Sequence, residues 1–287
     1  MKFNQPASSI FVPDGLDAEA ALGRTTHLAI VGHQDDTEIL AIDGILASFQ
    51  QRYQWFTSVI VTDGRGSPRS GTYTTYTDDD MRAVRTKEQM SAAMIGEYAA
   101  QVFLDYPSSQ IKSPNDLLAE DLISIIRKTQ PEVLYTHNLA DKHDTHVAVS
   151  LRVIEALRRM PHIERPQKLY GSEVWRDLDW LIDEDKITFD CSSHESLQLK
   201  LLGAFESQIS GGKRYDLATM GRRKAHATYA ASHQTDVQTG SAFAMDLTPL
   251  IKDDSLDIDF FVESFINRFK EDVQSRLYKL MQKQDTR

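Results

Sequence analysis

The sequence predicts an α/β protein, with a mostly parallel sheet covered by helices on both faces. Two observations carry that prediction. Through the first 160 residues, short apolar runs rich in β-branched residues alternate with longer segments of helical periodicity. The polar, titratable stretches follow those runs directly, at the carboxyl ends of the predicted strands, where parallel sheets collect their ligands.

The elements follow in order. Residues 1–25 read as an arm with a weak helix and a turn at Val12-Pro13-Asp14-Gly15. Residues 26–32 (THLAIVG) are a buried strand, and 37–53 a helix with Ile39, Leu40, Ile42, Ile45 and Leu46 at helical spacing. A second strand spans 55–62. Residues 63–80 lack any period and are rich in Gly, Ser and Thr, which makes them a long loop. A helix over 81–99 takes Asp79 or Asp80 as its N-cap. Strands at 101–106 and 132–137 and helices at 115–129 and 145–160 complete the repeat. Beyond residue 160 the alternation loosens to a strand at 167–175 and helices at 195–209, 216–233 and 260–283. The chain reads as a single domain over 1–287, with a core of about 26–235 and a C-terminal helical extension of about 236–287.

The totals exclude several classes. The 42 acidic and 32 basic residues give a net charge of -10, which argues against nucleic acid and anionic membrane as partners. A single cysteine, Cys191, rules out an internal disulfide and agrees with a reducing compartment. The first residues lack the apolar core of a signal peptide, and no apolar run is long enough to span a bilayer, so the cytoplasm is the expected location. The oligomeric state stays open, a homo-oligomer included.

Two clusters carry the chemistry. His33, Asp35 and Asp36 follow the first strand; His137, Asp141, His143, Asp144 and His146 follow the fourth. His33, Asp36 and His146 would make a three-ligand set for divalent zinc, leaving a fourth position to water. Asp35 would then be free to take a proton from that water, and His143 to stabilise an oxyanion or protonate a leaving amine. The bland alternative is that the carboxylates cap the helices that follow. Arg85 and Glu88 read either as a solvated helix face or, for Arg85, as a grip on substrate. Arg65, Arg69, Tyr73 and Tyr76 place arginine and tyrosine on the long loop, a rim suited to a hydroxylated, anionic sugar. Trp175 is read as a core aromatic.

These motifs resemble the PIG-L/LmbE-like zinc-dependent deacetylases. The matching segments are Gly32-His33-Gln34-Asp35-Asp36-Thr37-Glu38, Thr62-Asp63-Gly64, the Arg85/Glu88 helix ending near Gly96, and Asp141-Lys142-His143-Asp144-Thr145-His146. Lys200, Ala204, Ser207 and Gln208 resemble a later helix, so the similarity covers about residues 26–235. Gln34 stands where the family usually has proline, Thr145 where it often has aspartate, and Phe205 where histidine is common. The resemblance implies a Rossmann-like three-layer α/β/α fold. It implies Zn2+, or another divalent metal such as Fe2+, on His33, Asp36 and His146, with Asp35 as general base and His143 as electrostatic catalyst or acid. The implied reaction is removal of an N-acetyl group from a glucosamine-type sugar conjugate. Arg69, Arg85 and Asp141 are the residues expected at that substrate. The competing functions are a metal-dependent phosphoester hydrolase and a non-catalytic Rossmann-like binding protein.

Overall fold

A computed structural model describes residues 1–282. Its eight strands are β1 (Ser9–Phe11), β2 (His27–Val31), β3 (Phe56–Thr62), β4 (Ala100–Tyr106), β5 (Val133–His137), β6 (Lys168–Ser172), β7 (Ile187–Asp190) and β8 (Ser241–Asp246). They form one sheet in the order β1-β4-β3-β2-β5-β6-β8-β7. Strands β2 to β6 pair in parallel, with His27 beside both Phe56 and Val133. Every residue of β2 and β3 is buried, as expected of central strands covered on both faces.

The chain runs outward from β2 through β3 to β4, then crosses back to β5 on the other side of β2 and continues to β6. The carboxyl ends of β2 and β5 therefore flank the point where the winding reverses, the place where such sheets open a crevice. One face is covered by the helices Asp116–Thr129 and Asp144–Arg158, which bury Leu118, Leu122, Ile125, Val153 and Leu157. The other is covered by Asp36–Leu40, Ile42–Ser48, Asp78–Ile95 and Glu195–Gly203, which bury Leu40, Ile42, Ala92 and Leu201.

The observed elements correct several sequence expectations. The expected helix over 37–53 is two helices, broken at Ala41, where the backbone leaves the helical region. The helix expected from 81 begins at Asp78 because Thr77 is its N-cap. Asp80 sits at the third helical position and closes a reciprocal capping box with Thr77, at 3.2 and 2.9 Å. The N-terminal arm contributes β1, an antiparallel edge strand on β4, and a helix Ala18–Gly23 capped by Asp17. Strands β7 and β8 lie where no strand was expected. The predicted helical extension from 236 opens instead with β8, which is inserted antiparallel between β6 and β7. Its helix, expected over 260–283, spans Ile258–Gln282, and Lys283 lies outside the described residues. Among the described residues no helix is long and apolar enough to cross a membrane.

Candidate active site

Both polar clusters sit at the reversal crevice. After β2 the chain turns through Gly32 and His33 into the short helix at Asp36. Asp35 is held in the left-handed region, at φ 91°. A non-glycine residue there costs on the order of 1–3 kcal/mol, so its surroundings must over-determine it. They do: the Asp35 amide donates to Gln89 Oε1 at 3.2 Å, and the Arg85 guanidinium donates to the carbonyl of Gln34. Neither carboxylate caps the helix. Asp36 instead turns its Oδ2 back to accept from the His33 amide at 2.6 Å. The capping alternative therefore fails at this cluster, and at the second one no side chain caps the helix that starts at Asp144.

His33 Nδ1, Asp36 Oδ2 and His146 Nε2 form a nearly equilateral triangle with sides of 3.2, 3.1 and 3.3 Å. Ligands about 2.0–2.1 Å from a tetrahedral ion lie roughly 3.3–3.4 Å apart, so the triangle has the size of a metal's coordination face. Burial alone would raise the Asp36 pKa, but the imidazoles of His146 and His137 outweigh it and hold the carboxyl well below its usual range. Burial also opposes charge on His146, yet Asp36 and Asp141 push it up to about 9. The pocket thus favours a positive charge at this spot. A side chain at position 32 would intrude on it, since a Cβ on Gly32 would lie 3.3 Å from both Asp36 Oδ2 and the His146 ring.

His137 is also within reach of these atoms, and Asp36, His137 and His146 form a second group of metal-ligand type, as do His33, His143 and His146. The hydrogen bonding separates first choice from second. His137 Nε2 accepts from the Gly32 amide at 2.9 Å, which uses its lone pair, while its ring stacks on His146 at 3.9 Å. It packs behind the His146 ring.

Asp141 also backs His146, and does not sit at the substrate position expected from the sequence. Its Oδ1 accepts from the His143 amide at 2.9 Å, and its Oδ2 accepts from the Trp175 amide at 3.0 Å and lies 3.6 Å from His146 Nδ1. A carboxylate behind the far ring nitrogen is the arrangement that orients a ligating histidine.

Arg85 is 2 % exposed and spans two carboxylates, Asp35 at 3.1 Å and Glu88 at 3.5 Å. The solvated-face reading of this helix is therefore wrong at these positions. Glu88 in turn accepts from the Ser207 amide and hydroxyl at 2.6 and 2.8 Å, tying the helix to the segment that carries Ser207 and Gln208. Burial raises Asp35 to about 6, against the pull of Arg85. Glu38 is more deeply buried and is pushed up to about 8, although Tyr98 and Gln89 donate to it at 2.8 Å each.

The crevice encloses about 560 Å³, the size of a small-molecule site. His33, Asp35, Asp36, Arg85 and His143 line it, opposite Trp175, Tyr215, Lys112 and Lys213. Burial, together with His146 and His33, lowers the His143 pKa, leaving it a neutral imidazole. Trp175 is only partly buried, with the Lys213 ammonium 4.9 Å from its ring centre and His143 stacked at 6.2 Å. Its position just past a strand end was the available signal that it is not simply core. Lys112 and Lys213 had no signal in sequence. Only the start of the long loop, Asp63 to Pro68, reaches the crevice. Arg69 does not: it pairs with Asp78 and the Arg65 carbonyl. Arg65 pairs with Asp63 and Asp79, and Tyr73 donates to Glu206.

A mostly parallel α/β sheet is also what the similar proteins of known structure share, and in this chain it carries a His/Asp pocket at its reversal point. Residues 28–157 match the PIG-L family, described as GlcNAc-PI de-N-acetylase; the span holds both polar clusters and Arg85. No curated protein matches the chain in sequence. Several solved structures share its fold. The N,N'-diacetylchitobiose deacetylase of Pyrococcus horikoshii is 15% identical with a TM-score of 0.63, over 83% of this chain and 88% of that one. The 4-carboxy-2-hydroxymuconate hydratase of Pseudomonas putida KT2440 is 16% identical with a TM-score of 0.60, over 78% and 95%. The A40926 pseudoaglycone deacetylase is 18% identical with a TM-score of 0.56, over 78% and 97%. At such identities the likeness is one of fold, and the fold serves more than one chemistry.

Proposed function

We propose that the chain is a zinc-dependent amide hydrolase that removes an N-acetyl group from an amino-sugar conjugate. The observation that carries this reading is the triangle of His33, Asp36 and His146 with a separate, clamped carboxylate, Asp35, lining the same crevice. The two deacetylases of the same fold and the match to the PIG-L family over residues 28–157 support it.

His33, Asp36 and His146 would hold the metal; mixed imidazole and carboxylate ligation suits zinc, and iron(II) is the nearest substitute. When bound, such a cation supplies the positive charge that polarises a carbonyl and lowers the pKa of a water. Asp35 takes the proton of the attacking water: with a pKa near 6 it is ionised at neutral pH yet basic enough to serve. The Arg85 clamp fixes where its carboxylate points. His143, neutral and lining the crevice, offers a ring N–H to hydrogen-bond the developing oxyanion, and the proton that Asp35 takes from the water passes on to the leaving amine. Trp175 offers a flat face for a sugar ring.

The phosphoester reading wants carboxylates for a second metal. Asp141 is committed to three backbone amides and His146, and Asp144 is exposed and does not line the crevice. The test is release of free amine from a panel of N-acetyl sugars, their conjugates and N-acetyl amino acids, and of inorganic phosphate from phosphate esters, with zinc supplied. Turnover of N-acetyl sugars, lost in Asp35→Ala and with KM raised in Trp175→Ala, supports the proposal. Turnover confined to another class, or none at all, overturns it.

A further inference from the structure

The last helix, Ile258–Gln282, does two different things along its length. Its first three turns pack on the body: Phe261 and Phe265 are buried, and Arg268 pairs with Asp185 at 2.6 Å. From Phe269 to Gln282 every residue is exposed. Beyond Phe269, whose ring still meets Trp180 at 6.4 Å, thirteen residues at 1.5 Å each carry the helix about 20 Å further. An unsupported helix of that length is marginal in water, so its stability must come from packing an apolar face.

Such a face is present. Ile266, Phe269, Val273, Leu277 and Leu280 follow the 3-4-4-3 spacing of a helix contact seam, and Met281 flanks it, all within roughly 120° of arc at 3.6 residues per turn. These six are 40–68% exposed. At about 200 Å² for each fully exposed large side chain, they leave on the order of 600 Å² open. That is at the upper edge of the largest apolar patch on a typical monomer, about 300–600 Å². Two copies would bury about 1,200 Å² together, the lower bound of specific interfaces.

Charge selects among occupants. The projecting part carries three bases (Lys270, Arg276, Lys279) and two acids (Glu271, Asp272), so 3 − 2 leaves a net charge of only +1, far from the basic face that draws a helix to an anionic lipid surface. Within the projecting part, Lys270, Glu271 and Asp272 sum to −1, and Arg276 and Lys279 to +2. Antiparallel pairing of two copies sets the acidic part of each against the basic part of the other; parallel pairing sets like against like.

We propose that this helix is a dimerisation arm, which pairs in antiparallel fashion with the same helix of a second copy of the chain. Sedimentation velocity on the full chain at tens of micromolar should give twice the 32.5 kDa chain mass. The double variant Val273→Glu/Leu277→Glu should sediment as a folded monomer, with the melting of its body intact, since both residues are exposed. Orientation is read by oxidative cross-linking, against a native Cys191 that is buried and silent. Gln274→Cys, near the middle of the projecting part, should cross-link to itself, and Met281→Cys, near its end, should not. A monomeric wild type overturns the proposal, as does an oligomer unaffected by the double variant. Cross-linking at 281 instead of 274, or helix-dependent flotation of a monomer with phosphatidylserine vesicles, does so equally.

Discussion

Replacing Arg85 by methionine keeps most of the side chain's volume and removes its charge. The guanidinium lies 3.1 Å from Asp35 and 3.5 Å from Glu88 and donates to the Gln34 carbonyl, all behind a surface that leaves it 2 % exposed. At an effective dielectric of about 20, the Asp35 contact alone is worth roughly 5 kcal/mol of Coulomb attraction. That agrees with the roughly 3–5 kcal/mol lost when one partner of a buried pair is deleted. With about 2–4 °C per kcal/mol in a chain of this size, Arg85→Met should melt on the order of 10 °C lower while remaining folded at 25 °C. Because the left-handed Asp35 turn leans on Arg85 through Gln34, kcat should fall at least tenfold with KM nearly unchanged. The assay is a thermal melt alongside steady-state kinetics on the best substrate of the panel. A melt within 2 °C of wild type, with the loss confined to KM, would refute this reasoning and return Arg85 to the substrate-gripping role its sequence context suggested.

Ser207→Ala removes a hydroxyl donor from the buried Glu88 carboxylate and should cost about 1.5–3 kcal/mol in urea denaturation, while a cost under half of one would show that the link to this segment is idle. The buried pair of His226 and Glu173, 3.5 Å apart, makes stability depend on pH in opposed ways. Burial lowers His226 to about 4, so the unfolded chain binds the extra proton below 6.5 and stability is lost as pH falls from there through 4. Burial raises Glu173 to about 7, so its share is complete at acid pH and is lost as pH rises from 4.5 through 7. His226→Phe, which keeps the stacking on Phe243, should therefore lose less stability than wild type between pH 6.5 and 4.5; an equal loss would place the acid sensitivity elsewhere.

What the sequence disclosed follows from how local each signal was. The parallel strands are built around short apolar runs, and the two polar clusters abut those of β2 and β5, so strand ends and crevice residues could be read together. The antiparallel strands at Ile187–Asp190 and Ser241–Asp246 are short and pair across more than fifty residues, and nothing local marks them. The same limit holds in the site. His33, Asp36 and His146 announce themselves by type and spacing. The turn of Asp141 towards His146, and the capture of Arg69 by Asp78, are decided by tertiary contacts. Lys112 and Lys213 reach the crevice from segments without any motif.

The central claim is that one metal sits on His33, Asp36 and His146 while Asp35 acts beside it. Elemental analysis of purified, dialysed protein tests it directly, on wild type, Asp35→Ala and His146→Ala. The account expects one divalent ion per chain in wild type, the same content with turnover abolished in Asp35→Ala, and loss of the ion in His146→Ala. Two ions per chain, or an ion that leaves with Asp35 and stays without His146, would contradict it.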